Sequence, residues 1–480
     1  MTELNYTLLN DSSHDLDLLL DRVGESQFVL LGEASHGTSE FYKWRSEISK
    51  RLIKEKGFSF IAVEGDWPDC FEVNRYIKGF SGSGQSAYKV LHSFNRWPTW
   101  MWANKEMVDL IEWIKVHNSS VIGDSRKNKV GFYGLDLYSL WESLEAIIQY
   151  LKRVDPAALK NAVDAFDCFE PYNKDVEKYA NAMAFVPDNC EDEVIETLAS
   201  LRNKQDVYAK EHQNKEEEYF NAEQNAITAK EAEKYYRTMM KGDVNSWNLR
   251  DTHMMNTLER LIDFHNKDKE TGDGRGNVTE PKSIVWAHNT HIGDARFTDM
   301  AKSGMINLGQ LVREKRGSKN TVLVGFGTYS GSVIASKQWG EKMEKMDVPP
   351  AKDGSWDRLL HNLCKSNSSD DIGKDKLLIF SSPHQNHEDK DDAGKTTQGK
   401  KNNYTYYYDD DTENDKPMGQ RAIGVVYNPK YEKYGNYVPT KLSSRYDALL
   451  FIDKTNALSP LHMQPIKNDR DLPETFPSGV

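Results

Sequence analysis

Phe28-Val-Leu-Leu-Gly-Glu-Ala-Ser-His-Gly-Thr-Ser-Glu-Phe-Tyr-Lys-Trp-Arg45 is the stretch from which the rest of this 480-residue chain can be read. Gln27 to Leu31 is a short run of β-formers that stops at Gly32. Beyond it Phe41, Trp44, Ile48 and Leu52 recur at three- and four-residue steps, so the pattern predicts strand, tight loop, helix. Such a loop and the first N–H groups of its helix aim at one spot outside the sheet, and this places Glu33, Ser35 and His36 where chemistry is usually done. An imidazole takes a proton near neutral pH, and a carboxylate beside it fixes its tautomer and stabilises the imidazolium. The plainer reading is that Glu33 and Ser35 satisfy backbone donors at the helix start with His36 a bystander, and spacing alone leaves both open.

Outward from this stretch, Phe58 to Glu64 is a second apolar run ending in a carboxylate. Two strands joined by a helix make a βαβ unit whose C-terminal ends share an edge, which brings Glu64 towards Glu33 and His36; the alternative for Glu64 is a salt bridge to a basic neighbour. Val130 to Asp136 reads as a third strand, with Asp136 capping a helix that starts near Leu140. Trp97, Trp100 and Trp102 are dense enough to line an apolar pocket, Trp97 being the candidate for substrate contact, although at least two of the three read as core.

From Leu140 to about Lys267 the pattern is helix after helix, broken at Pro156, Pro171 and Pro187. Glu211 to Met240, charged with a thin apolar stripe, reads as a solvent-bridging or lid-like helix. The next helix carries Arg250 and Asp251 near its start, where Arg250 can clamp an oxyanion or carboxylate with Asp251 orienting it, or where both serve as ordinary helix-end charges. Asn266 to Lys282 reads as a loop, and Ser283 to Ala287 as a strand that delivers His288 and His291. A helix from Asn307 and strands at Thr321 to Gly327, Leu377 to Phe380, Arg421 to Asn428 and Tyr446 to Asp453 follow, interrupted by a polar tract at about 381–417 that reads as an insertion. The expected architecture is α/β: a mostly parallel or mixed central sheet flanked by helices, with an inserted all-helical lobe. Its expected partition is 1–139, 140–267 and 283–460.

Lys+Arg 62 against Asp+Glu 74 gives a net charge of −12, which argues against a nucleic-acid binder and tolerates a cationic ligand. The first twenty residues lack a basic then apolar leader, and no stretch is apolar over the length a bilayer demands. Cys70, Cys168, Cys190 and Cys364 are scattered without CxxC spacing, so reduced thiols in a cytoplasm are expected, with no disulfide framework and no structural zinc.

Gly32-Glu-Ala-Ser-His-Gly37, Ala62-Val-Glu-Gly-Asp66, Asn248-Leu-Arg-Asp-Thr-His-Met254, Trp286-Ala-His-Asn-Thr-His291, Gly424-Val-Val-Tyr427 and Tyr446-Asp-Ala-Leu449, taken in order, resemble the erythromycin esterase family. The resemblance implies an α/β lobe carrying a helical lobe, a cleft between them, and hydrolysis of a macrolide lactone by water. It implies His36 as general base with Glu33, Glu64, Arg250, His288 and His291 around it, and Arg45 at a position the family keeps basic. It also implies diversity of substrate, since some members carry names from polysaccharide biosynthesis. The expectation is an esterase acting on a small molecule without cofactor or metal, because Arg250 in the pocket would repel a cation. The rivals are a metal-dependent hydrolase using the same histidines and glutamates, and a non-catalytic binder of an apolar ligand.

Overall fold

The computed structural model describes residues 4–10, 12, 14–121, 128–169, 171, 190–203, 215–239, 244–270, 280–364, 371–380 and 417–462. Among these, eleven strands run in chain order: β1 (Thr7–Leu8), β2 (Phe28–Leu31), β3 (Phe60–Asp66), β4 (Gly131–Asp136), β5 (Ser283–Trp286), β6 (Thr321–Ser336), β7 (Met343–Val348), β8 (Lys376–Ile379), β9 (Met418–Arg421), β10 (Tyr437–Thr440) and β11 (Ala448–Thr455). Nine of them form one sheet in the order β1-β8-β11-β6-β2-β5-β3-β4, with β7 hydrogen-bonded to the long β6. The six from β11 to β4 are mutually parallel; at the margins β8 and β7 run against them, and β1, antiparallel to β8, runs with them. This is the expected mixed sheet. Its central strands are buried on both faces and so read as unbroken apolar runs such as Phe28-Val-Leu-Leu31.

β2 and β3 are parallel, but β5 lies between them, so the last strand to be made of the three is the middle one. The register is level: Leu31 and Val63 both stand opposite Trp286. The residues that follow these three positions therefore emerge side by side.

Helices α1 (Asp17–Val23), α2 (Ser39–Lys56), α3 (Trp67–Lys78), α4 (Ala87–His92) and α5 (Lys105–Ser119) pack around the sheet. The helical run then comprises α6 (Leu140–Val154), α7 (Leu159–Phe169), α8 (Glu191–Asn203), α9 (Lys215–Met239) and α10 (Val244–Glu270). It has an apolar core of its own around Leu144, Ile147, Phe169, Val194 and Tyr236. Two short helices, α11 (Asn289–Ile292) and α12 (Leu308–Arg316), follow β5. No described helix is long and apolar enough to cross a membrane.

Several expectations are corrected. The helix expected to be lid-like, α9, is the buried middle of the helical layer: Ala222, Ala226, Ala229, Ala232 and Tyr236 lie in the core, and the stripe looks thin only because alanine carries it. The segment expected to leave the helix at Asn266 stays helical to Glu270. Arg421 to Asn428 is not a strand of the main sheet; β9 ends at Arg421 and pairs with β10, and the residues after it touch the sheet by single bridges, Ile423 to Ser35 and Val426 to Ser336. Cys168 and Cys190 are joined by a disulfide, against the expectation of four reduced thiols on which the cytoplasmic reading rested. Cys70 and Cys364 are free. The insertion expected at about 381–417 falls, but for Pro417, outside the described residues.

Candidate active site

Each strand end delivers one part of the site. Beyond β2, the His36 Nδ1 lies 3.0 Å from Glu33 Oε1, and Arg45 Nη2, from α2, donates to Glu33 Oε2 at 2.7 Å. All three side chains are at least 97% buried. The Arg45 guanidinium also lies over the rings of Tyr42 and Trp286, 4.3 and 4.6 Å from their centroids. Glu33 can only accept, so His36 carries its proton on Nδ1 and keeps the Nε2 lone pair for a substrate or water. Ser35 does not face Glu33 or His36 in this network; its hydroxyl pairs with that of Thr38.

Beyond β3 and β5, Glu64 Oε2 accepts the backbone N–H of His288 at 2.8 Å. The His288 Nδ1 accepts the backbone N–H of Thr290 at 3.3 Å, which leaves the ring proton on Nε2, an atom with no hydrogen-bond partner of normal geometry. Burial first, and then the neighbouring His36, hold His288 well below the usual histidine range, so it is a neutral N–H donor. Its ring stands 4.9 Å from that of His36, centroid to centroid.

From α10, Arg250 grips Asp136 of β4 with Nε and Nη2 at 3.0 and 2.7 Å, and reaches Glu64 Oε1 with Nη2 at 2.6 Å. Burial works against this guanidinium, but Asp136, Tyr138 and Glu64 outweigh it and keep it charged. Burial likewise pushes the Glu64 carboxyl up, while His291 and Arg250 more than reverse that and hold it ionised. Asp136 is therefore an arginine anchor rather than the helix cap expected, and its local bond is to the Leu137 N–H at 2.9 Å. Asp251 does not orient Arg250. It takes the His291 Nδ1 at 3.0 Å and the Leu308 N–H at the start of α12 at 2.7 Å.

His291 lies flat on Trp247, 4.6 Å between centroids. Burial lowers its pKa, but Asp251 and Glu64 together raise it from 6.5 to about 9. Its Nε2 has two neighbours suited to different protonation states: Arg250 Nη1 at 3.0 Å, which can only donate, and Glu64 Oε1 at 3.4 Å, which can only accept. The imidazolium turns to Glu64; the neutral ring accepts from Arg250.

A cavity opens on this cluster, lined by His36, Glu64, Asp136 and Arg250 and walled by Phe94, Met101, Trp102, Tyr138 and Trp339. Of the sequence-chosen residues, Glu33, His36 and Arg45 form one hydrogen-bonded group and Glu64, Arg250, Asp251, His288 and His291 another, and the two meet where the rings of His36 and His288 adjoin. Trp97 stands behind the wall, its ring 4.4 Å from that of Trp339, and Trp102 and Trp339 take the place expected for it. Sequence reasoning passed over Tyr138, Trp339 and the Asp66–Arg96 ion pair, which also line the cavity. Asp66 closes one of the quoted motifs and was within reach of the argument; nothing local marks Trp339. The carboxylate and imidazole atoms of the cluster are largely engaged with one another and with arginines, and no group of three or more His, Cys, Asp or Glu among the described residues is arranged to hold a metal ion.

The sequence profile described as Erythromycin esterase matches residues 53–455. The chain belongs to the erythromycin esterase family. The match begins after the loop that bears Glu33 and His36, so that loop is assigned by its geometry. Erythromycin esterase type II of Escherichia coli is 21% identical over 379 residues, 75% of this chain and 84% of that protein. Among solved structures, a Bacillus cereus protein superposes with a TM-score of 0.67 at 20% identity, covering 95% of this chain and 96% of its own. A succinoglycan biosynthesis protein gives 0.64 at 20% identity, with 95% of both chains covered. An erythromycin esterase point mutant in its open conformation gives 0.61 at 14% identity, covering 97% and 99%. These likenesses carry the fold, a mixed sheet flanked by helices. Membership of the erythromycin esterase family makes the chain a carboxylic ester hydrolase acting on a small molecule.

Proposed function

We propose that the protein opens a macrolide lactone with water activated by His36, inactivating the antibiotic. The observation that supports this most is the Arg45–Glu33–His36 relay, which holds one imidazole in a single tautomer with its basic nitrogen left for a proton. His36 Nε2 takes a proton from water as the oxygen attacks the ester carbonyl, and returns it to the leaving alkoxide. The Arg250 charge, held by Glu64 and Asp136, stabilises the oxyanion from the cavity wall, and the neutral His288 ring packs against His36. Asp251 orients His291, whose Nε2 stands between Arg250 and Glu64 and positions both. No metal and no cofactor enter these steps. Arg45 acts through Glu33, and Trp102 and Trp339 offer the macrocycle an apolar wall.

Incubation with erythromycin should yield a product heavier by one water. If the macrolide returns intact while an aryl ester is cleaved in a His36-dependent way, the macrolide part of the proposal falls and the esterase part stands.

A further inference from the structure

The cavity wall holds more negative charge than the reaction uses. Glu64, Asp66, Asp69 and Asp136 line it together with the guanidiniums of Arg96 and Arg250. Arg250 serves Glu64 and Asp136, and Arg96 grips Asp66 through Nε and Nη2 at 2.5 and 3.0 Å. Asp69, in the first turn of α3, is left as the lining carboxylate that makes no hydrogen bond or ion pair among the described residues. A second polar side chain on the same wall is also unanswered: Thr99 is 2% exposed, lines the cavity, and its hydroxyl has no hydrogen-bond partner. Around them stand Phe94, Trp102, Tyr138 and Trp339.

We propose that Asp69 is a specificity determinant: it binds a protonated alkylamine carried by the ester substrate, with the surrounding aromatic rings taking the N-alkyl groups and Thr99 a neighbouring hydroxyl. The inference rests on the esterase reading above and adds a subsite to it. A half-buried carboxylate without a partner is costly, and a cation that arrives with the substrate removes that cost. Burial, Asp66 and Glu142 push the Asp69 carboxyl well above its usual range while Arg96 pulls it down, and a bound ammonium would add attraction of the kind Arg96 supplies. The aromatic wall favours an alkylated amine over a hydrated metal ion, because ring faces attract a desolvated cation and offer no ligand atoms.

The test compares two esters of one acid, the 2-(dimethylamino)ethyl ester and its neutral 3-methylbutyl isostere. The wild-type enzyme should prefer the cationic ester, chiefly through KM. Asp69→Asn should cut the cationic-to-neutral ratio of kcat/KM on the order of tenfold, and Asp69→Glu should restore part of it. The amine alone is probed separately: N,N-dimethylcyclohexylamine should bind wild-type protein by calorimetry more tightly than it binds Asp69→Asn, and isopropylcyclohexane should not compete. A ratio unchanged in Asp69→Asn, or equal binding of the amine to both proteins, overturns the proposal. If Asp69→Asn does not fold, wild-type binding of the amine no tighter than that of its neutral isostere overturns it alone. If wild-type protein cleaves neither these esters nor erythromycin nor an aryl ester, the esterase reading fails, and the calorimetry still decides the subsite.

Discussion

His36, Glu33 and Arg45 share one buried chain of bonds, so their substitutions separate chemistry from stability. His36→Ala should keep the fold and lose on the order of a hundredfold to ten-thousandfold in turnover on a confirmed ester, because it removes only the base. Circular dichroism beside initial rates checks this; near wild-type rates would sink the assignment. Arg45→Ala should unfold more easily by about 3–5 kcal/mol in denaturant titration, since it strands Glu33 as a buried charge. His291 gives the pH prediction. Its folded pKa, about 9, lies above the unfolded 6.5, so its contribution to stability is present below 6.5 and is lost as pH rises through about 9. Asp251→Asn removes the main cause of that shift, so the stability gap between wild type and variant should narrow over this window. A gap that stays constant across it would show that His291 is not held as the imidazolium.

Among elements, the loop after β2 is fixed from two directions. Its Gly37 carbonyl accepts both the Ile334 N–H of β6 and the Leu458 N–H of the segment after β11. A Cβ at Gly37 would stand 1.9 Å from the Ile334 carbonyl oxygen, too close for any side chain. Gly37→Ala should therefore lower the melting temperature, by the roughly 1–3 kcal/mol typical of overpacking, and slow turnover as well, because His36 is its neighbour in sequence. A variant that melts lower but turns over normally would show that the loop relaxes without moving the base. The segment after β11 ties this loop to the cavity wall: Ser39 N–H donates to the Asn456 carbonyl, and Lys105 N–H to the Ser459 carbonyl. None of this was legible in the sequence, where residues 456–461 show neither periodicity nor a motif. What was legible followed from local pattern. The strand-loop-helix at Phe28–Arg45 and the carboxylate or histidine at each strand end pointed to Glu33, His36, Glu64, His288 and His291 of the candidate site, a helix start pointed to Arg250 and Asp251, and the family resemblance alone to Arg45. The misses share a cause: α9 buries alanine, which scores as weakly apolar, and the duties of Asp136 and Asp251 depend on partners more than a hundred and about forty residues away.

At the scale of the molecule, the Cys168–Cys190 bond staples α7 to α8 across a separation of 22 residues. Reduction, or Cys168→Ser with Cys190→Ser, should lower stability by about 3 kcal/mol if loop entropy governs. Melting curves with and without reductant measure it, and no change would mean that the bond is formed without constraining the unfolded chain. The placement of β5 has a different consequence, for a chain still being made. β2, β3 and β4 leave the ribosome with the strand that belongs between the first two still untranslated. Until it slots in, β2 and β3 each offer an open edge of buried-type sequence to any other chain nearby. Nascent protein of this kind depends on being kept apart from its copies while synthesis continues, and a message that stops ahead of Ser283 should give insoluble material rather than a weak enzyme.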